Sequence, residues 1–189
     1  PDNIRSFMAI IRNPQHLVRE LGRMLRYGIL GQYIPEFGGI IGHMQHDLFH
    51  SYTIDQHSLR AIKFMRKLRF DEHKETFPQA SKLIDRISKK DILYLAALLH
   101  DVGKALPGEH EITGSEIAHN FCIHHGLGQI DADLVVWLVR NHLLFSQASQ
   151  RIDIADPDAM HHFATQIGDR RHLEYLYGFS NPLEAEPFP

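Results

Sequence analysis

The stretch ILYLAALL, residues 92–99, is apolar at every position and is followed at once by His100-Asp101. Eight such residues read as a helix with no polar stripe, and a helix apolar all round must be enclosed by other elements. That requirement sets the architecture: the rest of the chain has to supply helices that surround this one. The remaining periodicity agrees. Asn13-Pro14 reads as an N-cap and first helical position, with Leu17, Leu21, Met24 and Leu25 on one face and Gly28 and Gly31 ending it. Thr53 is placed to cap a helix whose inward stripe is Ile54, His57, Ala61, Phe64, Met65 and Leu68. Pro78 opens another, with Leu83, Ile84 and Ile87 inward, and Asp91 is placed to cap the apolar helix. Ile117, Ala118, Phe121 and Cys122 mark a helix toward Gly126, and Asp131 or Asp133 starts one bearing Val135, Leu138, Val139 and His142. Asp156-Pro157 caps a helix with Met160, Phe163, Ala164 and Ile167 inward and Gly168 as its stop. HLEYLY begins a last helix that is expected to fail at Gly178. Strand-like alternation is missing, so the expected class is all-α.

With 189 residues, one domain with a single core is expected. Its core is placed at about residues 14–177, with 178–189 as an irregular tail containing three prolines. The chain starts at Pro1 rather than Met, so it is expected to be part of a larger multidomain protein. A net charge of -3 offers no basic field for nucleic acid or a membrane surface. No apolar run approaches the ~18 residues of a membrane span. Cys122 is the single cysteine, which fits a reducing compartment, and a cytoplasmic location is expected.

Chemistry concentrates in LAALLHDVGK, residues 95–104. An imidazole and a carboxylate on adjacent residues at a helix end can aim at one point. Asp101 is costly to bury without a cation or hydrogen-bond donors. His57 and His142 each lie on an otherwise apolar stripe, so three separate helices send imidazole inward. Taken singly, each is also what a hydrogen-bonded core histidine looks like. His110 reads equally as a ligand or as a first-turn histidine. His46, Asp47 and His50 either line an entrance or face water. His124, His125, His161, His162 and His172 fall mostly at helix ends or on polar faces.

His57 followed by His100-Asp101 resembles the HD superfamily of metal-dependent phosphohydrolases, whose pattern is H…HD…D on an all-helical bundle. HDVGK with HEITG after it is similar to the branch that binds two metals. The segments HDLFHSYTIDQHSLRAI (46–62), HDVGK and VWLVRNHLLFSQASQRIDIADPDAM (136–160) resemble, within that superfamily, the HD domain of bacterial bifunctional uridylyltransferase/uridylyl-removing enzymes. The resemblance implies His57, His100 and Asp101 around a first divalent ion and His110 and His142 around a second, with Asp101 bridging. The ions implied are one or two of Mn, Mg, Fe, Zn or Co. It also implies uridylylated PII signal protein as substrate, UMP removal as the reaction, and neither nucleic acid nor membrane as partner. Asp101 and Lys104 are the expected catalytic residues, Lys104 by stabilising charge on phosphate oxygens. One departure stands out: the family's final Asp belongs in the last helix, and the last Asp here is Asp169, ahead of it. Two alternatives therefore remain, a two-metal phosphodiesterase for nucleotides or cyclic dinucleotides, and a metal-binding regulatory module with impaired turnover.

Overall fold

The structure, a computed structural model, describes residues 2–13, 15–44, 52–70, 74–153 and 155–184. Its helices are α1 (Asp2–Arg12), α2 (Leu17–Arg26), α3 (Ile29–Tyr33), α4 (Pro35–Gly38), α5 (Ile54–Lys67), α6 (Pro78–Arg86) and α7 (Lys90–Leu99). A 3-10 turn, Val102–Ala105, leads to α8 (His110–His124), α9 (Gln129–Arg140), α10 (Leu144–Arg151), α11 (Pro157–Ile167) and α12 (Arg170–Glu184). Among the described residues no strand forms, and a lone antiparallel bridge joins Met44 to Thr53. The all-α expectation holds.

The centre of the molecule is α7. Every residue from Ile92 to Leu99 is buried, and α1, α5, α8, α9 and α12 pack around it. Each fully buried leucine there contributes on the order of 1.5–3 kcal/mol of transfer free energy. The same burial shields the helix end from solvent, which matters for the residues that follow it. The same core holds Ala61 and Met65 of α5 and Leu68 at its C-cap, Ala118 and Cys122 of α8, and Leu138 and Val139 of α9.

Local signals set several boundaries. The Asn13 side chain accepts from the backbone N–H groups of Gln15 and His16 at 2.9 and 3.0 Å, satisfying free donors ahead of α2. Asp156 accepts from Asp158 N–H and Ala159 N–H, and Gly168 turns the chain at φ 86°. Thr53 occupies the N-cap position of α5 but makes no capping bond with its side chain. Asp91 lies inside the first turn of α7, where it accepts from Arg12 Nε at 3.0 Å. Asp131 is likewise inside the first turn of α9, ion-paired to Lys89 and Arg171. Gly31 belongs to α3, where a Cβ would lie 3.0 Å from Gly38 Cα, so it is a close-packing glycine and no stop. Met160 and Ala164 of α11 face solvent, and Ile167 is buried.

The tail differs most from expectation. Residues 178–184 are helical, because α12 continues through Gly178. A Cβ at Gly178 would lie 3.2 Å from Ile84 Cδ1 and 3.2 Å from Leu83 Cδ2, so glycine lets α12 approach α6 closely. Tertiary packing there outweighs low helix propensity. Phe179 and Ser180 are buried as a result.

Candidate metal centre

Four elements deliver the polar groups. His57 sits in the first turn of α5 and is buried. His100 ends α7, and Asp101 leaves the helix at φ -110°, ψ 3°. His110 is the first residue of α8. His142 lies just beyond the end of α9 rather than on it. The rings form a chain: centroids are 5.2 Å apart for His57–His100, 5.2 Å for His100–His142 and 5.6 Å for His110–His142.

Backbone carbonyls fix how two of these rings present their nitrogens. His100 Nδ1 lies 2.9 Å from Ala97 O, and His142 Nδ1 lies 2.7 Å from Val139 O. A carbonyl only accepts, so Nδ1 carries the proton and, in a neutral ring, Nε2 offers a lone pair. The Nε2 atoms of both rings face one carboxylate. His100 Nε2 is 3.2 Å from Asp101 Oδ2, and His142 Nε2 is 3.7 Å from Asp101 Oδ1. Burial, then the charge of His100, push the His142 pKa down to about 3, so this ring is neutral at pH 7. Lone pair therefore faces lone pair between His142 and Asp101, an arrangement that a cation resolves. Two buried atoms without a hydrogen-bond partner support this: Asp101 Oδ1 and His110 Nε2. Unsatisfied buried groups of this kind are uncommon and call for a ligand or a specific role.

Burial opposes ionisation of Asp101. The charge and hydrogen bond of His100, together with the Lys104 ammonium, outweigh it and hold the carboxyl well below the usual carboxylate range. Lys104 Nζ donates to Asp101 Oδ2 at 2.9 Å from the partly open side of the site.

Two groups of donors emerge. In one, ligand atoms of His57, His100 and Asp101 lie within 4.8 Å of one another; in the other, those of Asp101, His110 and His142 do. Asp101 is common to both. Mixed imidazole and carboxylate donors suit a divalent transition ion or magnesium. The structure thus brings together His57, His100, Asp101, Lys104, His110 and His142. Asp169 stands apart, exposed and paired with His172. His46, Asp47 and His50 lie outside the described residues. Of the remaining histidines, His161 and His162 are exposed, and His124 is the last residue of α8. His125 is packed, bridging Tyr33 Oη and Phe121 O at 2.8 and 2.7 Å.

Two features escaped the sequence. Glu111 Oε2 lies 3.4 Å from His110 Nδ1, which orients His110 Nε2 inward. Gly103 also has a strict role: a Cβ there would lie 2.2 Å from His110 O and 2.8 Å from Gly114 N. Only glycine lets the His-Asp turn abut the first turn of α8. Glu111 could have been suspected as the carboxylate next to His110. The Gly103 contact has no local signal, because it depends on where α8 docks.

Residues 54–184 match the HD domain family. The chain is 49% identical over 177 residues to the bifunctional uridylyltransferase/uridylyl-removing enzyme of Azotobacter vinelandii, covering 94% of this chain and 20% of that protein. It is 50% identical over 175 residues to the protein of the same name from Ectopseudomonas mendocina, covering 93% and 20%. For Pseudomonas aeruginosa the values are 49% over 175 residues, covering 93% and 19%. The chain spans about a fifth of the length of these relatives. No helix among the described residues is long and apolar enough to cross a membrane.

Proposed function

Because the chain belongs to the HD domain family, we propose that it is a metal-dependent phosphodiester hydrolase and that it removes UMP from uridylylated PII. The observation that carries this reading is the placement of Asp101, whose two oxygens face different imidazoles, His100 at 3.2 Å and His142 at 3.7 Å. One carboxylate shared by two donor groups is the arrangement expected of a paired-ion site, with His57 and His100 on one side and His110 and His142 on the other. Divalent ions held there supply Lewis acidity, lowering the pKa of water toward neutrality and polarising a phosphoryl oxygen. The buried end of α7 and the Phe179 ring, centroid 6.0 Å from that of His100, exclude bulk water and strengthen every charge interaction in the site. Lys104 holds its ammonium on the open side, where it can meet a non-bridging phosphate oxygen. The diester substrate is taken from the printed name of the relatives, and the domain is proposed to be one part of a multidomain protein, as those relatives are longer. A cytoplasmic location follows from the same proposal.

The test is UMP release from uridylylated PII by the metal-loaded chain, with bis(p-nitrophenyl) phosphate and a cyclic dinucleotide alongside. Chelator-sensitive release of UMP is expected. Cleavage of the other diesters alone would remove PII as the substrate. A folded, metal-loaded chain that cleaves none of them sinks the hydrolase reading, and leaves a metal-binding module that lacks an Asp in its last helix.

A further inference from the structure

A cleft of about 450 Å³ opens beside the second donor group, lined by Glu109, Glu111, Ile112, Arg140, Asn141, Leu143, Leu144 and Gln147. These residues flank His110 on both sides and His142 on both sides, so the cleft abuts the site where those rings meet Asp101. Its volume falls in the range of small-ligand pockets. Its chemistry is mixed in an informative way. Among the described residues, the side chains of Glu109, Arg140 and Gln147 have no hydrogen-bond or ion-pair partner. Ile112 and Leu144 supply apolar surface between them. The lining holds two carboxylates against one guanidinium, so a second phosphate deep in the cleft is repelled. A neutral, flat, hydroxyl-rich group is favoured instead, attached to a single phosphate at the donor-group end.

The geometry points to a nucleoside subsite. It rests on the hydrolase reading above and gives that reading its specificity: the cleft takes the nucleoside half of a nucleoside monophosphate ester. Glu109 accepts from ribose hydroxyls, as carboxylates do in other nucleotide sites. The Gln147 amide, with one donor and one acceptor end, pairs with the edge of the base. Ile112 and Leu144 cover the base face. Arg140, the one guanidinium of the lining, supplies a positive partner for the phosphate.

Equilibrium binding and turnover test it separately. Calorimetry on the manganese-loaded chain compares UMP, ribose 5-phosphate and inorganic phosphate. UMP is expected to bind about tenfold more tightly than ribose 5-phosphate. The Gln147→Ala and Glu109→Gln variants each weaken UMP about five- to tenfold, the worth of one hydrogen bond. Gln147 and Glu109 are exposed, so both variants fold. In turnover, Gln147→Ala is expected to cut the preference for the p-nitrophenyl ester of UMP over bis(p-nitrophenyl) phosphate about tenfold, through KM. UMP that binds no better than inorganic phosphate overturns the subsite, and so does equal binding by wild type and both variants. Cleavage of uridylylated PII alongside either result leaves the hydrolase standing without this subsite. Tight UMP binding with no cleavage of any diester sinks the hydrolase and keeps the subsite.

Discussion

The two donor groups share a carboxylate but differ in their surroundings. His57, His100 and Asp101 are at most 6% exposed and lie at the end of a helix whose last eight residues are all buried and apolar. The other group reaches the surface: the His110 side chain is 27% exposed and the cleft at its back opens to solvent. The first group is placed by the core and can change only if the core changes. The second depends on a helix start and on a corner past a helix end, both of which a single contact can shift. On the proposed reading, the enclosed side would hold its ion more firmly and the open side would be the one that substrate reaches.

Removal of Asp101 should erase this contrast and is the largest effect expected. Asp101→Ala takes ligands from both groups at once, so metal content by plasma emission spectrometry should fall to zero and hydrolysis to the buffer background. Helix content by circular dichroism should stay near wild type. Retained metal would break the shared-carboxylate reading. His57→Ala and His110→Ala then separate the two sides. Each is expected to lose one ion equivalent, His57→Ala the ion that chelator strips slowly and His110→Ala the one stripped quickly. A single stripping rate in the wild type would mean that the two sides do not differ as their burial implies.

Much of the enclosed side was legible in the sequence, and much of the open side was not. ILYLAALL announces a buried helix because no face of it is polar, and His57 announces its inward direction because Ala61, Met65 and Leu68 share its stripe. His142 was placed on the right face even though it lies past the end of α9, since its Nδ1 bond to Val139 O keeps it in near-helical relation to that residue. His110 could not be decided locally, because a first residue of a helix has no stripe to read. Gly178 misled for a physical reason: its low helix propensity is local, and the close approach of Ile84 and Leu83 that favours it is not. The nucleoside cleft is likewise non-local, assembled where the start of α8 meets the α9–α10 corner.

Gly103 tests how far the open side depends on one contact. Any Cβ there must displace His110 O from 2.2 Å, and the backbone of α8 has no flexible atom to yield instead. Gly103→Ala should therefore cost about 1–3 kcal/mol of stability, as overpacking typically does. It should also weaken the quickly stripped ion by about ten- to a hundredfold, the usual cost of misorienting a ligand. The slowly stripped ion should be held nearly as in the wild type. Equal weakening of both would show that the His-Asp turn moves as one piece with α8.

The smallest effect expected is the pH dependence set by His142. Its folded pKa is about 3, below the ordinary value of 6.5, so between these values the unfolded chain binds a proton that the folded chain refuses. Stability therefore rises with pH across that window and is lost as pH falls through it, with a limiting slope of about 1.4 kcal/mol per pH unit. Asp101, also held low, adds its own loss only near and below its unfolded value of 3.8, whereas His125, whose pKa burial likewise lowers, adds to the slope from pH 6.5 to 4.5, so the share of His142 is the part that its substitution removes. Urea denaturation in the presence of chelator should show the metal-free chain losing on the order of 1 kcal/mol between pH 6 and pH 5. His142→Gln should reduce that slope to the part His125 contributes, while placing an amide where the ring was. If the variant loses stability as steeply as the wild type, the buried, neutral character of this ring does not set the acid limit of the open side.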